Sequence, residues 1–291
     1  VAYAALIGVA AIVIPARAPG RWAALPGAIA LTELLRWSWP FGGVPLSSFA
    51  VGQVAGPHAV VLRVGGALLL VELTVIAGVT LAALVRRRWT PAAVGAGAVA
   101  ALLLVAVFAP RGEDVDGGAI DVALVQGGGE QGTRAEDTDE RKVFEVHEAA
   151  SRLVETPVDL VVWPEDVVDV EGPIEDAPDR EELADLARQL DAPVVAGIVE
   201  GDGPEHFRNA SVVFDADGEL VARYDKVHRV PFGEYVPLRS LIESFAGDSL
   251  TDREAVIGDA PAELDTTAGK LSVAISWEVF FGDRVREGVE R

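Results

Sequence analysis

Hydrophobic residues form four long segments in the first third of the chain, before Arg111. These segments are approximately residues 1–14, 22–35, 60–85 and 91–109. A spanning helix needs about 20 apolar residues, so the last two are long enough. The second segment is marginal because it contains Pro26 and Glu33. The pattern predicts a multi-helix transmembrane bundle over residues 1–110.

After Arg111 the apolar runs become shorter and alternate with polar stretches. Six of them predict strands, at residues 120–126, 159–164, 192–200, 209–215, 219–225 and 270–276. Near-continuous apolar runs are typical of strands buried on both faces. Helical spacing predicts helices over 136–155 and 179–190, and Asp217-Gly218 indicates a β-hairpin. Residues 111–291 are therefore predicted to form a separate α/β domain, with the acidic stretch 165–182 as a surface loop.

Arginines between the apolar segments predict how the chain crosses a membrane. Arg17 and Arg21 lie between the first two segments, and three arginines, 86–88, lie between the last two. The positive-inside rule places both groups on the cytoplasmic side. A multi-pass chain then has residues 36–58 and everything after Arg111 on the outer side.

Charge and composition exclude several classes of function. The formal net charge is +6 up to Arg111 and −27 beyond it. This acidic excess argues against nucleic acid as a partner, because phosphate binding needs clusters of Lys and Arg. It predicts a solvated acidic surface, or else attraction of a cationic substrate. With no cysteine, and four histidines that lack ligand spacing, no metal or cofactor is expected.

Two features of the apolar third have open interpretations. Residues 36–58 are rich in Trp, Phe, Gly and Pro. They predict either an aromatic belt at the lipid headgroups or a surface that handles lipid. Glu72 lies within the third apolar segment, where an ionisable group is costly. A partner in the helix bundle and a role in chemistry are both open for it.

The first candidate for chemistry is the sequence Trp163-Pro164-Glu165. A predicted buried strand ends at the proline, so Glu165 is held at its carboxyl end beside an aromatic ring. A carboxylate in such a place can serve as a general base. The alternative is an ordinary acidic loop, since Asp166 and Asp169 follow.

The second candidate is Lys226 and the stretch after it. Lys226 follows a predicted strand, and a loop bounded by Pro231 and Pro237 holds Glu234. Such a loop can present a fixed cation and a carboxylate, and a lysine can stabilise a developing oxyanion. A surface lysine in a turn is the alternative. His228 is interpreted as structural.

The third candidate is Ser276, at the end of the last predicted strand. A nucleophile on a sharp turn after a buried strand is exposed and lies near backbone N–H groups. Ser276 has no flanking glycines, however, and no Ser–His–Asp triad is evident in the sequence.

Together, these three sites resemble the Glu–Lys–Cys arrangement of the carbon–nitrogen hydrolase (nitrilase) superfamily. DLVVWPE, YDKVHRVPFGEYVPL and AISWEVFFGDRVR are similar to signature stretches of the apolipoprotein N-acyltransferase family within it. FGGVPLSSFAVGQVAGP, VRRRWTP and LVQGGGEQ resemble that family's membrane and domain-entry segments. The resemblance covers essentially the whole chain. It implies an α-β-β-α sandwich on the outer side of a bacterial plasma membrane.

The resemblance also implies roles for individual residues. Glu165 matches the general base, Lys226 the oxyanion-stabilising lysine, Glu234 a second positioning carboxylate and Glu278 the acid beyond the nucleophile. The residues predicted to bind substrate are Trp163, Trp277 and Tyr235. The family transfers an acyl chain from a phospholipid, through an acyl-enzyme, to the N-terminal diacylglyceryl-cysteine of lipoproteins. A lipid bilayer, a phospholipid donor and a lipoprotein acceptor are the implied partners.

Two departures from the family pattern change the expectation. Ser276 stands where the family has its nucleophilic cysteine, and an alcohol is several pKa units less acidic than a thiol, so this form is expected to be inactive or slow. An engineered replacement and a natural relative both fit. The family's fold also continues beyond Arg291 and begins with earlier membrane helices, so the chain is expected to be truncated at both ends. A membrane-anchored amidase and a non-catalytic lipid- or lipoprotein-binding relative are the rival hypotheses.

Overall fold

The computed structural model describes residues 2–13, 21–46, 48–111, 118–128, 139–246 and 250–288. The chain divides into two units, Val1–Asp116 and Gly117–Arg291. Arg17, which contributed to the predicted orientation, and the first three residues of the helix predicted over 136–155 lie outside the described residues.

The first unit is mainly helical where it is described. Its helices are α1 (Ala2–Val13), α2 (Arg21–Ser38), α3 (Leu62–Val85) and α4 (Trp89–Phe108). Among the described residues, two helical stretches, Ala59–Val85 and Trp89–Phe108, are long and apolar enough to cross a membrane. Two such stretches do not establish the predicted multi-helix transmembrane bundle, which stays a prediction. The marginal segment forms α2, which contains Pro26 and three charged residues.

A buried ion pair explains how Glu33 is accommodated in α2. Both of its carboxylate oxygens accept hydrogen bonds from the Arg36 guanidinium, at 3.2 and 2.7 Å. The Ser48 hydroxyl donates to the same carboxylate, and Arg36 also donates to the carbonyls of Val44 and Leu46. Because burying an unpaired charge is costly, this cluster both neutralises Glu33 and fastens residues 44–46 and Ser48 to the helix.

Helices α3 and α4 pack closely around small residues. A side chain at Gly95 would collide with the Thr80 hydroxyl of the facing helix, which shows how near the two backbones lie. Small residues permit such close approach in membrane helices. Glu72 is half-buried on α3, and its carboxylate makes no hydrogen bond or ion pair with the described residues. The question of a partner for Glu72 stays open.

The second unit is an α/β structure, as predicted. Its strands are β1 (Val122–Leu124), β2 (Leu160–Val162), β3 (Val168–Val170), β4 (Val194–Gly201), β5 (His206–Phe214), β6 (Leu220–Asp225), β7 (Glu254–Ala255), β8 (Glu263–Thr266) and β9 (Gly269–Ser272). Its helices are α5 (Glu140–Ser151), α6 (Pro178–Leu190), α7 (Arg239–Ala246) and α8 (Gly282–Glu287). The hairpin predicted at Asp217-Gly218 joins β5 to β6, which are antiparallel.

Seven strands form one mixed sheet. Its central order is β1-β2-β4-β5-β6, with β3 paired to β4 and β7 paired to β5. β1, β2 and β4 run parallel to one another. β5 is antiparallel to both of its neighbours, β4 and β6. β8 and β9 form a separate two-stranded ribbon. The carboxyl ends of β2, β4 and β6 therefore meet at one edge of the sheet.

Alternating side chains give this sheet two apolar faces. On one face, Val161 and Trp163 join the side chains of α5 and α6 in the larger core. On the other face, Leu160 and Val195 pack with Tyr224, Leu264 and Ile275. The described residues thus contain a helix layer and a sheet, with the β8–β9 ribbon against its second face. This supports the α/β part of the predicted α-β-β-α sandwich.

The prediction that residues 165–182 form a surface loop was wrong in part. Val168 and Val170 lie on strand β3, and Ile174 is fully buried in the larger core. Helix α6 begins at Pro178. The many acidic residues of this stretch concealed an apolar residue at every second position, which is the pattern of a half-buried strand.

Candidate active site

Three neighbouring strands bring the main candidate residues together. Strand β2 ends at Val162, and Pro164 turns the chain so that Glu165 follows over the sheet edge. Lys226 comes directly after β6, and its backbone N–H donates to the Asn209 carbonyl on β5 at 2.9 Å. Parallel and antiparallel pairing thus delivers side chains from residues 165, 209 and 226 to the same edge.

A buried lysine binds two carboxylates at this edge. The Lys226 Nζ lies 2.8 Å from Glu165 Oε1 and 2.6 Å from Glu234 Oε1. Only 3% of the Lys226 side chain is exposed, against 27% for Glu165 and 12% for Glu234. The structure therefore brings together three of the residues that the sequence analysis selected.

The charge of this cluster is controlled by its burial and pairing. Burial alone would lower the pKa of the Lys226 ammonium, but attraction to Glu234 and hydrogen bonds to Glu165 and Glu234 outweigh it and raise the pKa. The lysine is therefore a permanent cation at neutral pH. One ammonium between two carboxylates leaves the cluster with a net charge of −1 when both acids are ionised.

The two carboxylates differ in how fully they are bound. Both oxygens of Glu234 are engaged, because Oε2 accepts the Val230 backbone N–H at 2.8 Å. In Glu165, Oε1 accepts hydrogen bonds from Lys226 and Asn209, whereas Oε2 accepts none from the described residues. Glu165 is also the more exposed of the two. It can accept a proton from a bound reactant, and Glu234 is suited to positioning.

Tyr235, predicted to bind substrate, lies in the tight loop that carries Glu234. Its carbonyl accepts the Phe232 N–H at 2.7 Å, and the Arg229 guanidinium lies 4.3 Å from its ring centroid. The stacked cation fixes the ring beside the cluster. Substrate contact by Tyr235 stays a prediction.

Ser276 begins a short 3-10 turn, Ser276–Phe280, after the β8–β9 ribbon. Its backbone has a φ of +48°, in the left-handed region that a non-glycine residue rarely adopts. Its side chain is exposed. Within the described residues its hydroxyl makes no hydrogen bond to Glu165 or Lys226. The strained, exposed geometry suits a nucleophile, while the catalytic role itself stays a prediction.

Glu278 is fully buried and lies in a separate hydrogen-bond network. Its carboxylate accepts the backbone N–H groups of Val227, His228 and Ile275, at 2.8, 3.1 and 2.9 Å. It also accepts the Tyr224 hydroxyl at 2.8 Å. Burial, together with the negative charge of Glu278, raises the Tyr224 pKa, so that the phenol remains a donor. Glu278 thereby joins the turn that bears residue 276 to the segment immediately after Lys226.

The two tryptophans predicted to bind substrate are both largely buried. The Trp163 indole N–H donates to the Ser151 hydroxyl at 2.8 Å, and its ring meets Phe144 edge-on. It therefore anchors the end of β2 to helix α5. The Trp277 ring packs against Phe280 at a centroid distance of 5.8 Å. These contacts give Trp163 a structural role, and substrate contact by either ring stays a prediction.

Two further residues at the site escaped the sequence analysis. Asn209 donates its side-chain amide to both Glu165 and Glu234. Gly197 on β4 lies against the Glu165 segment so closely that a Cβ there would collide with the Pro164 carbonyl and lie 2.6 Å from the Glu165 Cα. Asn209 is the only asparagine in the chain, a fact that could have drawn attention to it.

Alanine at Gly197 is expected to displace Glu165, because the obstructing atoms belong to backbone that cannot rotate away. Overpacking of this kind costs about 1–3 kcal/mol of unfolding free energy. Denaturant unfolding of Gly197→Ala checks this, with Gly172→Ala as the control, since a Cβ at Gly172 meets nothing within 4 Å. Equal stability of the two variants would contradict the prediction.

Comparison with known proteins assigns the class to which this fold and site belong. The sequence profile of the carbon–nitrogen hydrolase family matches residues 121–288, more than half of the chain. The chain therefore belongs to the carbon–nitrogen hydrolase family. An amidase from Nesterenkonia sp. is a solved structure similar to it, at 23% identity and a TM-score of 0.41, covering 61% of this chain and 63% of the amidase.

Within this class, the similar curated proteins are named apolipoprotein N-acyltransferase. The protein from Allorhizobium ampelinum is 29% identical over 296 residues, covering 93% of this chain and 53% of its own length. The one from Geobacter metallireducens is 32% identical over 183 residues, covering 59% of this chain and 34% of its own length. The chain thus spans about half, or less, of these relatives.

Proposed function

We propose that this chain carries the catalytic centre of an N-acyltransferase that modifies lipoproteins at a bacterial plasma membrane. The acyl donor is a phospholipid, and the acceptor is the α-amino group of an N-terminal diacylglyceryl-cysteine. The chain crosses the membrane more than once, and its second unit faces the outer side. Family membership, the similarity to named acyltransferases and two apolar helices support this proposal.

The observation that carries the proposal is the buried Lys226 held between Glu165 and Glu234. An acyl transfer needs a base for the nucleophile and a fixed positive charge for the developing oxyanion. Glu165, with one oxygen that accepts no hydrogen bond from the described residues, is suited to the first task. Lys226, a buried and permanent cation, is suited to the second.

In the proposed reaction, residue 276 attacks the ester carbonyl of the phospholipid while Glu165 takes its proton. Lys226 stabilises the oxyanion of the tetrahedral intermediate. When that intermediate collapses, the leaving lysophospholipid oxygen regains the proton from Glu165, and an acyl-enzyme remains. The lipoprotein amine then attacks this acyl group, forms the amide and releases residue 276 with its proton restored.

Serine at position 276 makes the first step difficult. A glutamate and a free thiol already differ in ordinary pKa by about 4 units, and an alcohol is weaker still as an acid. We therefore propose that this form binds its substrates but forms the acyl-enzyme very slowly. Cysteine at this position is expected to restore the reaction.

Ser276→Cys tests the proposal directly, because the chain has no other cysteine. In phospholipid-containing micelles, intact-protein mass spectrometry should detect one added acyl chain, bound through a thioester that hydroxylamine cleaves. A diacylglyceryl peptide with a free amino terminus should then remove the acyl chain and become N-acylated. Ser276→Ala is the control and should gain no mass.

The two rivals predict different products. An amidase would release fatty acid or ammonia and leave the peptide amine unmodified. A lipid- or lipoprotein-binding protein would gain no acyl chain even as the folded Ser276→Cys variant, and that result would overturn the proposed catalysis.

A further inference from the structure

Asn209 is the buried polar group at the site that the proposed mechanism does not yet use. Only 3% of Asn209 is exposed to solvent. The amide nitrogen lies 2.8 Å from Glu165 Oε1 and 3.3 Å from Glu234 Oε1. These are the same two oxygens that accept the Lys226 ammonium.

The orientation of this amide follows from its neighbours. If the amide were reversed, its oxygen would face two carboxylate oxygens and repel both, so the nitrogen must point toward them. The amide oxygen is then left buried, with no hydrogen-bond partner among the described residues. An unsatisfied buried acceptor costs free energy. The two donated hydrogen bonds must therefore offset that cost.

The asparagine amide suits a position between two carboxylates. Its one nitrogen carries two protons, so it can serve two carboxylates at once, whereas a serine hydroxyl could serve only one. It is also neutral, so it adds no second cation beside Lys226.

We propose that Asn209 is a positioning residue that bridges Glu165 and Glu234 through its two amide protons, and so stabilises the negative charge of both carboxylates and holds their orientation. Its place on β5 supports this role, because residues 209 and 226 are neighbours at the end of the β5–β6 pair. The consequence for catalysis rests on the proposed function, in which Glu165 is the base. The bridge itself does not.

The bridge can be measured without activity, because Asn209 is the only asparagine in the chain. The whole protein, labelled with side-chain ¹⁵N-asparagine, should give one amide signal with two inequivalent protons. Glu165→Gln should shift chiefly one proton and Glu234→Gln chiefly the other. A signal that neither substitution changes would overturn the inference.

The effect on chemistry is measured in the Ser276→Cys background, from the rate at which iodoacetamide alkylates the single thiol. Asn209→Leu should lower this rate about tenfold at neutral pH and move the acid limb of the pH profile to higher pH. Ser211→Ala, two residues away on the same face of β5, is the matched control and should change neither. A lower rate with an unmoved acid limb would indicate a merely structural role and contradict the inference.

The two proposals fail in different ways. If no acyl-enzyme forms but the asparagine protons respond to Glu165 and Glu234, the bridge stands and the proposed function falls. If an acyl-enzyme forms while the asparagine signal ignores both acids, Asn209 is not a positioning residue.

Discussion

Replacement of Lys226 by methionine is expected to lower the free energy of unfolding by about 3–5 kcal/mol, because it leaves two carboxylates without their shared cation. Methionine preserves most of the volume of the side chain, so the loss is chiefly electrostatic. Glu165 and Glu234 would then repel each other across a buried site. Guanidinium chloride unfolding in detergent micelles measures the change.

Two further variants separate this charge effect from a loss of packing. Adding Glu234→Gln to Lys226→Met removes one of the two stranded charges and should recover a substantial part of the lost stability. Lys270→Met is the matched control, since Lys270 pairs with Glu263 at the surface with 42% of its side chain exposed. Exposed pairs contribute about 0–1 kcal/mol. If Lys226→Met cost no more than Lys270→Met, the cluster would not be a buried ion network.

The Lys226→Met variant should lose a larger share of its acylation rate than of its unfolding free energy. In the Ser276→Cys background, loss of an oxyanion-stabilising group is expected to slow acyl-enzyme formation by about 10²–10³-fold. Mass spectrometry of protein that is still folded, below its unfolding midpoint, checks this. Undiminished acylation would remove Lys226 from the proposed mechanism.

The sequence predicted those parts of the fold that depend on local pattern. Both long apolar segments form helices, and every predicted strand overlaps an observed one, although the last, predicted over 270–276, ends at Ser272. Each of these runs is long enough for its hydrophobic periodicity to identify the element. Strands β3, β7 and β8 are two to four residues long. β3 and β7 are completed by pairing with β4 and β5, which lie far along the chain, and so short a run gives a weak signal of its own.

The residues of the candidate site that could be predicted are those that carry a charge directly after an apolar strand. Glu165 and Lys226 both follow buried strands, and a carboxylate or ammonium at that point stands out. Lys226 is also one of only three lysines among 24 basic residues. Asn209 and Gly197 lie within strands, and they matter because the Glu165 segment lies against both of them. Only the pairing of β4, β5 and β6 brings Glu165 and Glu234 to these two positions.

The separation of Glu278 from the Lys226 cluster was likewise beyond the reach of the sequence. Its position two residues after Ser276 indicated proximity to the nucleophile, but not the direction of its side chain. In the structure that side chain turns inward and accepts backbone N–H groups from two segments. Glu278 thus lies near residue 276 as predicted along the chain, and its hydrogen bonds are those of a residue that supports the turn. A catalytic role for Glu278 stays a prediction.

Glutamine at Glu278 is therefore expected to be as damaging as the loss of Lys226. The carboxylate accepts hydrogen bonds at both oxygens, from three backbone N–H groups and the Tyr224 hydroxyl. A glutamine amide offers one oxygen and one NH2 group, so at least one buried N–H would face another donor. With the loss of charge-assisted bonds, the cost is about 3 kcal/mol or more. The connection between Lys226 and the turn at Ser276 would loosen as well.

Tyr224→Phe is the matched control for Glu278→Gln, because it leaves the three backbone bonds of the carboxylate in place. It removes the hydroxyl that donates to Glu278 and accepts from the Arg284 guanidinium, which keeps its bond to the Ala260 carbonyl. Its cost should be about 1–2 kcal/mol, with acylation in the Ser276→Cys background largely retained. Glu278→Gln should lose both stability and acylation, since the segment after Lys226 and the turn at residue 276 depend on the same carboxylate. Hydrogen exchange at the amides of Val227 and Ile275 should rise in Glu278→Gln and stay slow in Tyr224→Phe. Unchanged exchange at both amides in Glu278→Gln would mean that the carboxylate does not hold the two segments together.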